Sequence, residues 1–593
     1  MISNTPAADG TEVRPVRTTT FSLLAIAVGV VAGLGAVFFR GLIALFHNLF
    51  FLGKLSVFYD ATRHTPESPL GPFVILVPVI GAIGVAFFVK NYAPEAKGHG
   101  VPEVMDAIHY QGGRMRPIVA VIKSLASALS IGTGGSVGRE GPIVQIGASF
   151  SATLGEILRL PAWQRITLIA GGAGGGIAAT FNTPVGGVLF AVELMLQEVS
   201  ARTLVPVTIS TVTATYVGQI VFGPHPAFVI PAFESPYFHV ESPLVLLAYA
   251  GLGILTGIAS ALFIRALYGV ESVFERRIGG SYYRQHTIGM FLVGLLMYAM
   301  MVAAGHYYIE GVGYATIQDL LSGVHIAIYM LVLLFGLKLV ATCLTLGSGA
   351  SGGIFSPSLF MGATLGGAYG AMLNSLVPRL AVNPAAFAVV GMAGVVGGST
   401  AAAITAIVMI FEMTLDYRVV VPMTLTVAIS YGIRRALVRE SIYTRKLVLR
   451  GHHIPEALQA NVHFYRTASS LMDKRIETIP ASMKTEEFRR QLSRDRESKW
   501  FLVKDHNEVI GVVPKDCGRK TGATLGEIAR RDFCSLPEET PISKVCKMIR
   551  RNHAEYALVV SNGLTNTDKV EGIITKAQIA DAVAEATEAF GDD

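Results

Sequence analysis

The sequence predicts an all-α polytopic membrane protein with two internally repeated, inverted halves and broken helices, followed by a pair of small α+β modules. The first observation behind this fold class is the charge distribution: 48 of the first 465 residues are charged, against 42 of the last 128. An ordinary soluble domain carries about a quarter charged residues. The chain therefore needs two solvents, lipid for the first part and water for the second.

The second observation is a series of charge-free runs, since about 20 apolar residues cross a bilayer as a helix. These runs are Thr18–Phe39, Ser68–Val89, Ile166–Val192, Thr203–Phe233, Ser242–Ile264, Gln285–Ile309, Leu320–Leu337, Leu339–Pro378 and Leu380–Phe411. Several are too long and too rich in Gly and Pro for one straight helix. They predict broken or re-entrant helices, whose open backbone is tolerated only inside protein or around a wet cavity.

The third observation is an internal repeat, with one copy in each half of the apolar part. Gly132–Ala148 reads GTGGSVGREGPIVQIGA, and Gly347–Ala363 reads GSGASGGIFSPSLFMGA. Downstream, GGAG at 171–174 corresponds to GMAG at 391–394, and Glu193 corresponds to Glu412. Repeated transporters place their site at the interface of the halves, near the bilayer midplane.

The tail contains a repeat of its own. Trp500–Val503 corresponds to Ala557–Val560, and Val509–Val513 to Val570–Ile574 after a short insertion. Each unit is predicted as helix, strand, turn, strand, helix, which makes a small α+β module in tandem.

Basic residues at the ends of the apolar part predict the orientation. Arg14 and Arg17 precede the first span. The residues after the last span include Arg434, Arg435, Arg439, Arg445, Lys446 and Arg450. By the positive-inside rule both termini are cytoplasmic in a multi-pass protein of the cell membrane. The net charge of +6 lies wholly in this first part, so we expect no nucleic-acid partner.

Three loops punctuated by Gly and Pro stand at predicted helix starts inside the apolar part. They are Gly98–Pro102, Gly138–Pro142 and Gly353–Pro357. A helix start exposes unpaired N–H groups and about half a positive charge, so it attracts anions. Glycine-rich membrane segments also serve close helix packing. Three such loops, two of them related by the repeat, favour an anion site that binds without a full positive charge and so releases its ion.

Here the sequence resembles the CLC family of chloride channels and chloride/proton exchangers, in GHGVPE at 98–103, GREGP at 138–142 and GIFSP at 353–357. The tail resembles tandem CBS domains. The resemblance implies a cytoplasmic N-terminal segment (1–20), a transport domain (21–450), a linker (451–467) and two CBS modules (468–520 and 521–593). It also implies chloride as the transported ion and a homodimer with one pore in each subunit.

The resemblance assigns the gating glutamate to Glu140. A carboxylate among anion-attracting amides competes with the permeant ion, and protonation releases it, so an intramembrane carboxylate is a functional candidate. The resemblance assigns anion binding to the backbone of Ile354 and Phe355 and to the Tyr443 hydroxyl, although an interfacial tyrosine is also a common membrane anchor. The remaining anion-binding candidates on these loops are His99, Gly100, Arg139 and Gly141.

Two positions depart from the common family pattern. His99 stands where the family usually has serine; its ring can donate to the anion, or it can point away while the backbone binds. Leu194 stands where proton-coupled members have an inner glutamate, and leucine accepts no proton. Glu198, one turn further along, is the candidate substitute in a proton pathway with Glu140.

In the tail, Gln578 replaces the acid that commonly binds a ribose in CBS domains. This disfavours a nucleotide at the CBS pair and favours a dimer-stabilising or gating role.

These observations predict a passive chloride channel gated by glutamate. The alternative is a chloride/proton antiporter that uses another proton route. A remote alternative is a CBS-regulated divalent-cation transporter, which needs rings of pore-facing carboxylates, whereas the spans offer few acids and many glycine-led helix starts. We expect no enzyme and no metal site, because no catalytic or metal-ligand motif occurs in the spans.

Overall fold

The computed structural model divides into two compact units, residues 1–454 and 455–593. It describes residues 15–196, 199–228, 230, 243–452, 454, 467–492, 499–506, 508–515, 523–540, 542–552, 554–560 and 570–579. Each unit is described by itself below.

The first unit is helical, and its helices fall into two repeated halves and a final short helix. The first half contains α1 (Thr18–Leu52), α2 (Val77–Asn91), α3 (Val101–Tyr110), α4 (Ile118–Gly132), α5 (Glu140–Ile157), α6 (Ala162–Phe181), α7 (Pro184–Leu194) and α8 (Ala201–Phe222). The second contains α9 (Pro243–Val273), α10 (Tyr282–Ala304), α11 (Tyr314–Leu321), α12 (Ile328–Gly347), α13 (Phe355–Leu376), α14 (Pro384–Thr400), α15 (Ala403–Thr414) and α16 (Val420–Leu437). The final helix is α17 (Ile442–Leu449).

Among the described helices, six are long and apolar enough to cross a membrane: α1, α2 with its preceding 3₁₀ turn, α8, α9 with its C-terminal extension, α10 and α12. Four further apolar helices are shorter, α4, α7, α14 and α15. The prediction of a polytopic helical membrane protein is thus confirmed.

The predicted broken helices are also present. The charge-free run Ile166–Val192 folds as α6 and α7, separated where Asn182 takes the left-handed conformation with φ 59°. In the second half, α14 and α15 are separated in the same way at Ala401, with φ 62°. A left-handed residue ends a helix because it turns the chain out of the hydrogen-bond ladder.

The sequence repeat reappears in the helix starts, since α5 begins at Glu140 and α13 begins at Phe355, the equivalent position of the second copy. Close helix packing uses the glycines of both repeats. A Cβ on Gly147 would lie 2.2 Å from the Gly172 carbonyl oxygen, and one on Gly362 would lie 2.3 Å from that of Gly391. The GGAG and GMAG segments therefore serve packing, as glycine commonly does between membrane helices.

Two acidic residues tie the halves together by reciprocal caps. Glu193, on α7, accepts hydrogen bonds from the N–H groups of Ile404 (3.1 Å) and Thr405 (2.7 Å) at the start of α15. Glu412, on α15, accepts from Val185 (3.0 Å) and Gly186 (2.7 Å) at the start of α7. Each carboxylate satisfies N–H groups that a helix start leaves unpaired.

The second unit contains two three-stranded sheets with the same topology. The strands of the first sheet are β1 (Ile476–Pro480), β2 (Trp500–Asp505) and β3 (Glu508–Pro514); those of the second are β4 (Phe533–Pro537), β5 (Tyr556–Val560) and β6 (Val570–Thr575). In each sheet the first strand pairs in parallel and the third antiparallel with the central strand. The crossover helices are α19 (Thr485–Leu492) and α21 (Ile542–Arg551).

The two modules exchange their leading helical turns. Residues of α18 (Ala468–Leu471) belong to the apolar cluster of the second sheet, with Leu536 and Ile574. Residues of α20 (Leu525–Ile528) belong to the cluster of the first sheet, with Phe501. The strands β1 and β4 are additions to the predicted order, because a short edge strand ending in Pro carries little periodic signal.

Candidate anion-binding site

The three predicted loops meet inside the first unit and are joined by backbone hydrogen bonds. Gly138 and Gly353 exchange two N–H···O bonds of 2.8 and 2.6 Å. The Gly98 N–H donates to Ala350 at 2.9 Å, and the Gly98 carbonyl accepts from Gly352 at 3.3 Å. The loop before α13 is thus paired on one side with the loop before α3 and on the other with the loop before α5. This convergence of three helix starts is the arrangement that the sequence predicted.

Glycine is required where these loops touch. Gly100 has φ 82°, in the left-handed region, and a Cβ there would lie 2.8 Å from the Gly141 carbonyl oxygen. A Cβ on Gly141 would lie 2.1 Å from the carbonyl oxygen of His99. Both positions permit a backbone approach that no side chain allows.

Glu140 is the first residue of α5 and is 1% exposed. Its Oε1 accepts a hydrogen bond of 2.7 Å from the Tyr314 hydroxyl and another from the Ser356 hydroxyl. Its Oε2 accepts a bond of 3.3 Å from the Ser356 backbone N–H. The carboxylate of one repeat therefore occupies the helix start of the other, where hydrogen bonds to a charged group are strong.

Arg139 precedes Glu140 but does not pair with it. Its guanidinium carbon lies 5.3 Å from the ring centre of Tyr314 and 5.9 Å from that of Phe181, within cation–π range. Its Nε is buried and has no hydrogen-bond partner among the described residues. The two adjacent side chains point in different directions, as neighbours on a helix do.

The backbone candidates lie at the start of α13. Ile354 is its N-terminal cap and Phe355 its first residue, both buried. Helix starts leave their first N–H groups without partners inside the helix, and in the described part of the chain neither of these two donates a hydrogen bond. Tyr443, 2% exposed, lies on α17 with its ring centre 5.8 Å from that of His99. The predicted anion-binding candidates therefore lie in one region.

The His99 ring is buried and partly engaged. The Tyr268 hydroxyl donates its single hydrogen to the Ile442 carbonyl at 2.5 Å. The His99 Nε2, 3.2 Å from the same hydroxyl, must then be the donor of that contact. In a neutral ring this leaves Nδ1 as an acceptor, and Nδ1 has no partner among the described residues. A neutral His99 ring so placed has no second N–H to offer an anion.

We expect His99→Ser to shift the relative permeabilities of nitrate, bromide and chloride by about threefold, the effect of one hydrogen bond gained or lost. The reason is that a free hydroxyl replaces a ring held by Tyr268. Anion-substitution flux in liposomes measures the shift, with the exposed His325→Ser as the control. Unchanged permeability ratios would mean that the backbone alone selects the anion at this loop.

Two residues of this region were missed from the sequence, Tyr314 and Ser356. Ser356 lies within the GIFSP loop, where only the backbone was considered. Tyr314 follows Gly311-Val312-Gly313, which corresponds across the repeat to Gly98-His99-Gly100. Each of the two loops is bonded by an equivalent buried lysine. Lys123 donates to the Gly98 carbonyl at 2.7 Å, and Lys338 donates to the Gly311 carbonyl at 2.7 Å. This fourth glycine loop was the signal that could have located Tyr314.

Leu194, which the resemblance aligns with the family's inner proton glutamate, is the last residue of α7 and is 9% exposed. The neighbouring Glu193 is engaged in the cap described above. Glu198 lies outside the described residues. In the described part of the chain no group of three or more His, Cys, Asp or Glu side chains is placed to hold a metal ion.

Comparison with known proteins agrees with this geometry. The family model described as voltage gated chloride channel matches residues 79–435, which include all three helix-start loops. The chain belongs to the CLC family. A CBS domain model matches residues 525–585, within the second of the two predicted modules. The protein is thus a CLC-family chloride transport protein with a CBS region at its C-terminal end.

A similar CLC protein is the H(+)/Cl(-) exchange transporter ClcA of Vibrio parahaemolyticus, 30% identical over 72% of this chain and 90% of that protein. A slow cyanobacterial Cl-/H+ antiporter has the same fold, with a TM-score of 0.63, 23% identity and coverage of 74% of this chain and 99% of that one. A eukaryotic CLC transporter covers 94% of this chain and 98% of its own, with a TM-score of 0.56 and 21% identity. The two solved structures establish the fold.

In the CBS region, Gln578 is bonded within its own module. Its Oε1 accepts hydrogen bonds from the Thr575 N–H at 2.8 Å and from the Thr575 hydroxyl at 3.1 Å. Gln578 is thus a neutral amide whose oxygen already accepts two hydrogen bonds.

Proposed function

We propose that this CLC protein is a passive chloride channel of the cell membrane, with both termini in the cytoplasm and Glu140 as its gate. The observation that carries the proposal is the position of the Glu140 carboxylate, buried where the helix starts of the two repeats meet and bonded to Ser356. A permeant anion would need the same donors. The carboxylate and chloride are thus competitors for one site.

Competition of this kind makes the gate respond to pH and to the anion. A charged carboxylate attracts the helix-start N–H groups and repels chloride. Protonation removes the charge, weakens the bonds from Tyr314 and Ser356, and frees the side chain to leave the path. Chloride then meets the N–H groups of Ile354 and Phe355 and the Tyr443 hydroxyl. It also meets two loops, that of His99 and Gly100 before α3 and that of Arg139 and Gly141 before α5.

Leu194 is the reason for favouring passive conduction. A proton that crosses the membrane needs an acceptor on the cytoplasmic side of Glu140, and leucine has none. The neighbouring Glu193 accepts hydrogen bonds from two N–H groups at the start of α15. Taking up a proton would weaken these bonds, so Glu193 is a poor substitute as proton acceptor.

The second candidate is a chloride/proton antiporter, and the name of the Vibrio relative favours it. This function needs a different proton route, for which Glu198 together with Glu140 is the remaining sequence candidate.

Liposomes containing the purified protein and loaded with chloride distinguish the two functions. For a passive channel we expect a chloride gradient to drive chloride flux without moving protons uphill, and the reversal potential to be independent of a proton gradient. Uphill proton movement that Glu140→Ala abolishes would contradict the channel and establish exchange. A wild-type protein that carries no chloride would contradict both.

We further propose a homodimer with one pore in each subunit, and a stabilising or gating role for the CBS modules without a bound nucleotide. The Gln578 amide supports the absence of a bound nucleotide, because its oxygen already accepts a hydrogen bond from the Thr575 N–H.

A further inference from the structure

A cavity of about 150 Å³ lies next to the gate, bordered by the ends of α6 and α8 and the start of α11. Its wall includes Arg40, Arg139, Asn182, Gln219, Phe222 and Tyr314, and we call it the arginine cavity. Tyr314 belongs both to this wall and to the gate, because its hydroxyl donates to Glu140. The volume accommodates several water molecules, or a partly hydrated halide, since a water molecule takes about 30 Å³.

Neither arginine of this cavity is held by a close acidic group. Arg139 is 9% exposed with an unpartnered Nε, and Arg40 lies over the Phe222 ring at 4.3 Å. In the part of the chain that the structure describes, neither guanidinium forms an ion pair. An unpaired charge in such a place is costly, and an anion is the ligand that relieves the cost.

The acidic residues nearby are already engaged elsewhere. The Glu310 Oε1 lies 3.0 Å from His47 Nδ1, and both side chains are buried. The Asp60 Oδ2 lies 3.4 Å from Arg63 Nε at the protein surface, and Asp60 attracts Arg40 without forming an ion pair with it. Neither carboxylate forms an ion pair with Arg40 or Arg139, which leaves both guanidinium groups able to bind a mobile anion.

Two amide side chains of the cavity wall are held in place by hydrogen bonds. Gln219 Nε2 donates to Asn182 Oδ1 at 2.7 Å, and Asn182 Nδ2 donates to the carbonyls of Pro224 and His225 at 3.2 and 3.0 Å. Of the described residues that line the cavity, Arg40 and Arg139 carry the permanent charges.

We propose that Arg40 and Arg139 form an anion-binding site of their own, in which a small monovalent anion such as chloride waits beside Tyr314 before the gate opens. In the orientation proposed above, this site serves the outer side of the membrane, because Arg40 lies in the C-terminal part of α1, which starts in the cytoplasm. This inference rests on the proposed anion transport. It adds to that function an outer site that captures the anion, with Arg40 as one of its two binding residues.

Substitution of Arg40 tests the site through the dependence of flux on chloride concentration. We expect Arg40→Gln to raise the half-saturating external chloride about fivefold, the loss of one charge-assisted hydrogen bond at a hydrated site. The maximal flux should stay near that of the wild type, and the difference should shrink as an impermeant salt screens the charge. Arg40→Lys keeps the charge and should stay within about twofold of the wild type.

The matched control is Arg379→Gln, because Arg379 is an exposed arginine beyond α13 that does not line the arginine cavity. Should Arg40→Gln fail to fold, Ala61→Glu carries the test, because it adds a negative charge to the same wall and must also raise the half-saturating chloride. A wild-type chloride dependence in these variants would overturn the capture site while leaving chloride transport intact. Absence of chloride flux in the wild type would instead overturn the proposed function.

Discussion

Replacing Glu140 with glutamine is expected to raise chloride flux at neutral pH about tenfold, because the charge that holds the side chain against the helix starts is lost. Hydrogen bonds to a charged group contribute about 1.5–3 kcal/mol each, about twice the neutral value. Weakening the bonds from Tyr314 and Ser356 to Glu140 by about 1.4 kcal/mol in total gives the factor of ten.

The pH profile of this variant is the decisive measurement. In the wild type we expect flux to rise as the pH falls, since the protonated carboxyl is the released form. The chloride flux of the glutamine variant should be independent of pH across the same range and close to the flux of the wild type at low pH. Glu156→Gln is the matched control, an exposed carboxylate near the end of the same helix. A variant that keeps the wild-type pH profile would exclude Glu140 as the gate.

Removing the Tyr314 hydroxyl is expected to produce the next largest effect, about a fivefold rise in chloride flux at neutral pH. Tyr314 donates to the Glu140 carboxylate at 2.7 Å from a buried position, where a lost donor to a charged group costs about 1 kcal/mol or more. Tyr314→Phe keeps the ring, which packs edge-on against Phe228 at 5.4 Å between centres. The change therefore isolates the hydroxyl.

The sign of the pH effect follows from the same bond. A donor that stabilises the charged carboxylate opposes its protonation, so the variant should be activated by acid at a higher pH than the wild type. Ser356→Ala removes the other hydroxyl donor and should shift the profile in the same direction, whereas the exposed Tyr417→Phe should leave it unchanged. If Tyr314→Phe has wild-type flux and pH dependence, then its hydroxyl does not hold the gate.

The position of the candidate site could be predicted from the sequence, because close backbone contacts restrict which residues its loops can contain. Gly100 and Gly141 stand where any side chain would collide with a neighbouring carbonyl. Glycine is therefore required there and forms part of a recognisable motif. The internal repeat also placed the starts of α5 and α13 correctly, since both halves obey the same constraints.

The partners of the site were not accessible in this way. Tyr314 is 174 residues from Glu140 in the sequence, and Tyr268 is 169 residues from His99. A single tyrosine has no spacing relation that reveals a contact over such a distance. The sequence also offered two interpretations of His99, and the hydrogen bond to Tyr268 is what restricts its ring.

The amino-acid sequence alone was enough to predict the solvent of each part, the two repeats, the broken helices and the convergence of the three loops. These follow from composition, periodicity and local backbone constraints, which act over short stretches of chain. The folded structure was needed to see how Glu140 is held, how His99 is oriented, and that Arg40 shares a cavity with Arg139. Such pairings depend on how the two halves pack, and packing brings together residues whose sequence separation carries no local signal.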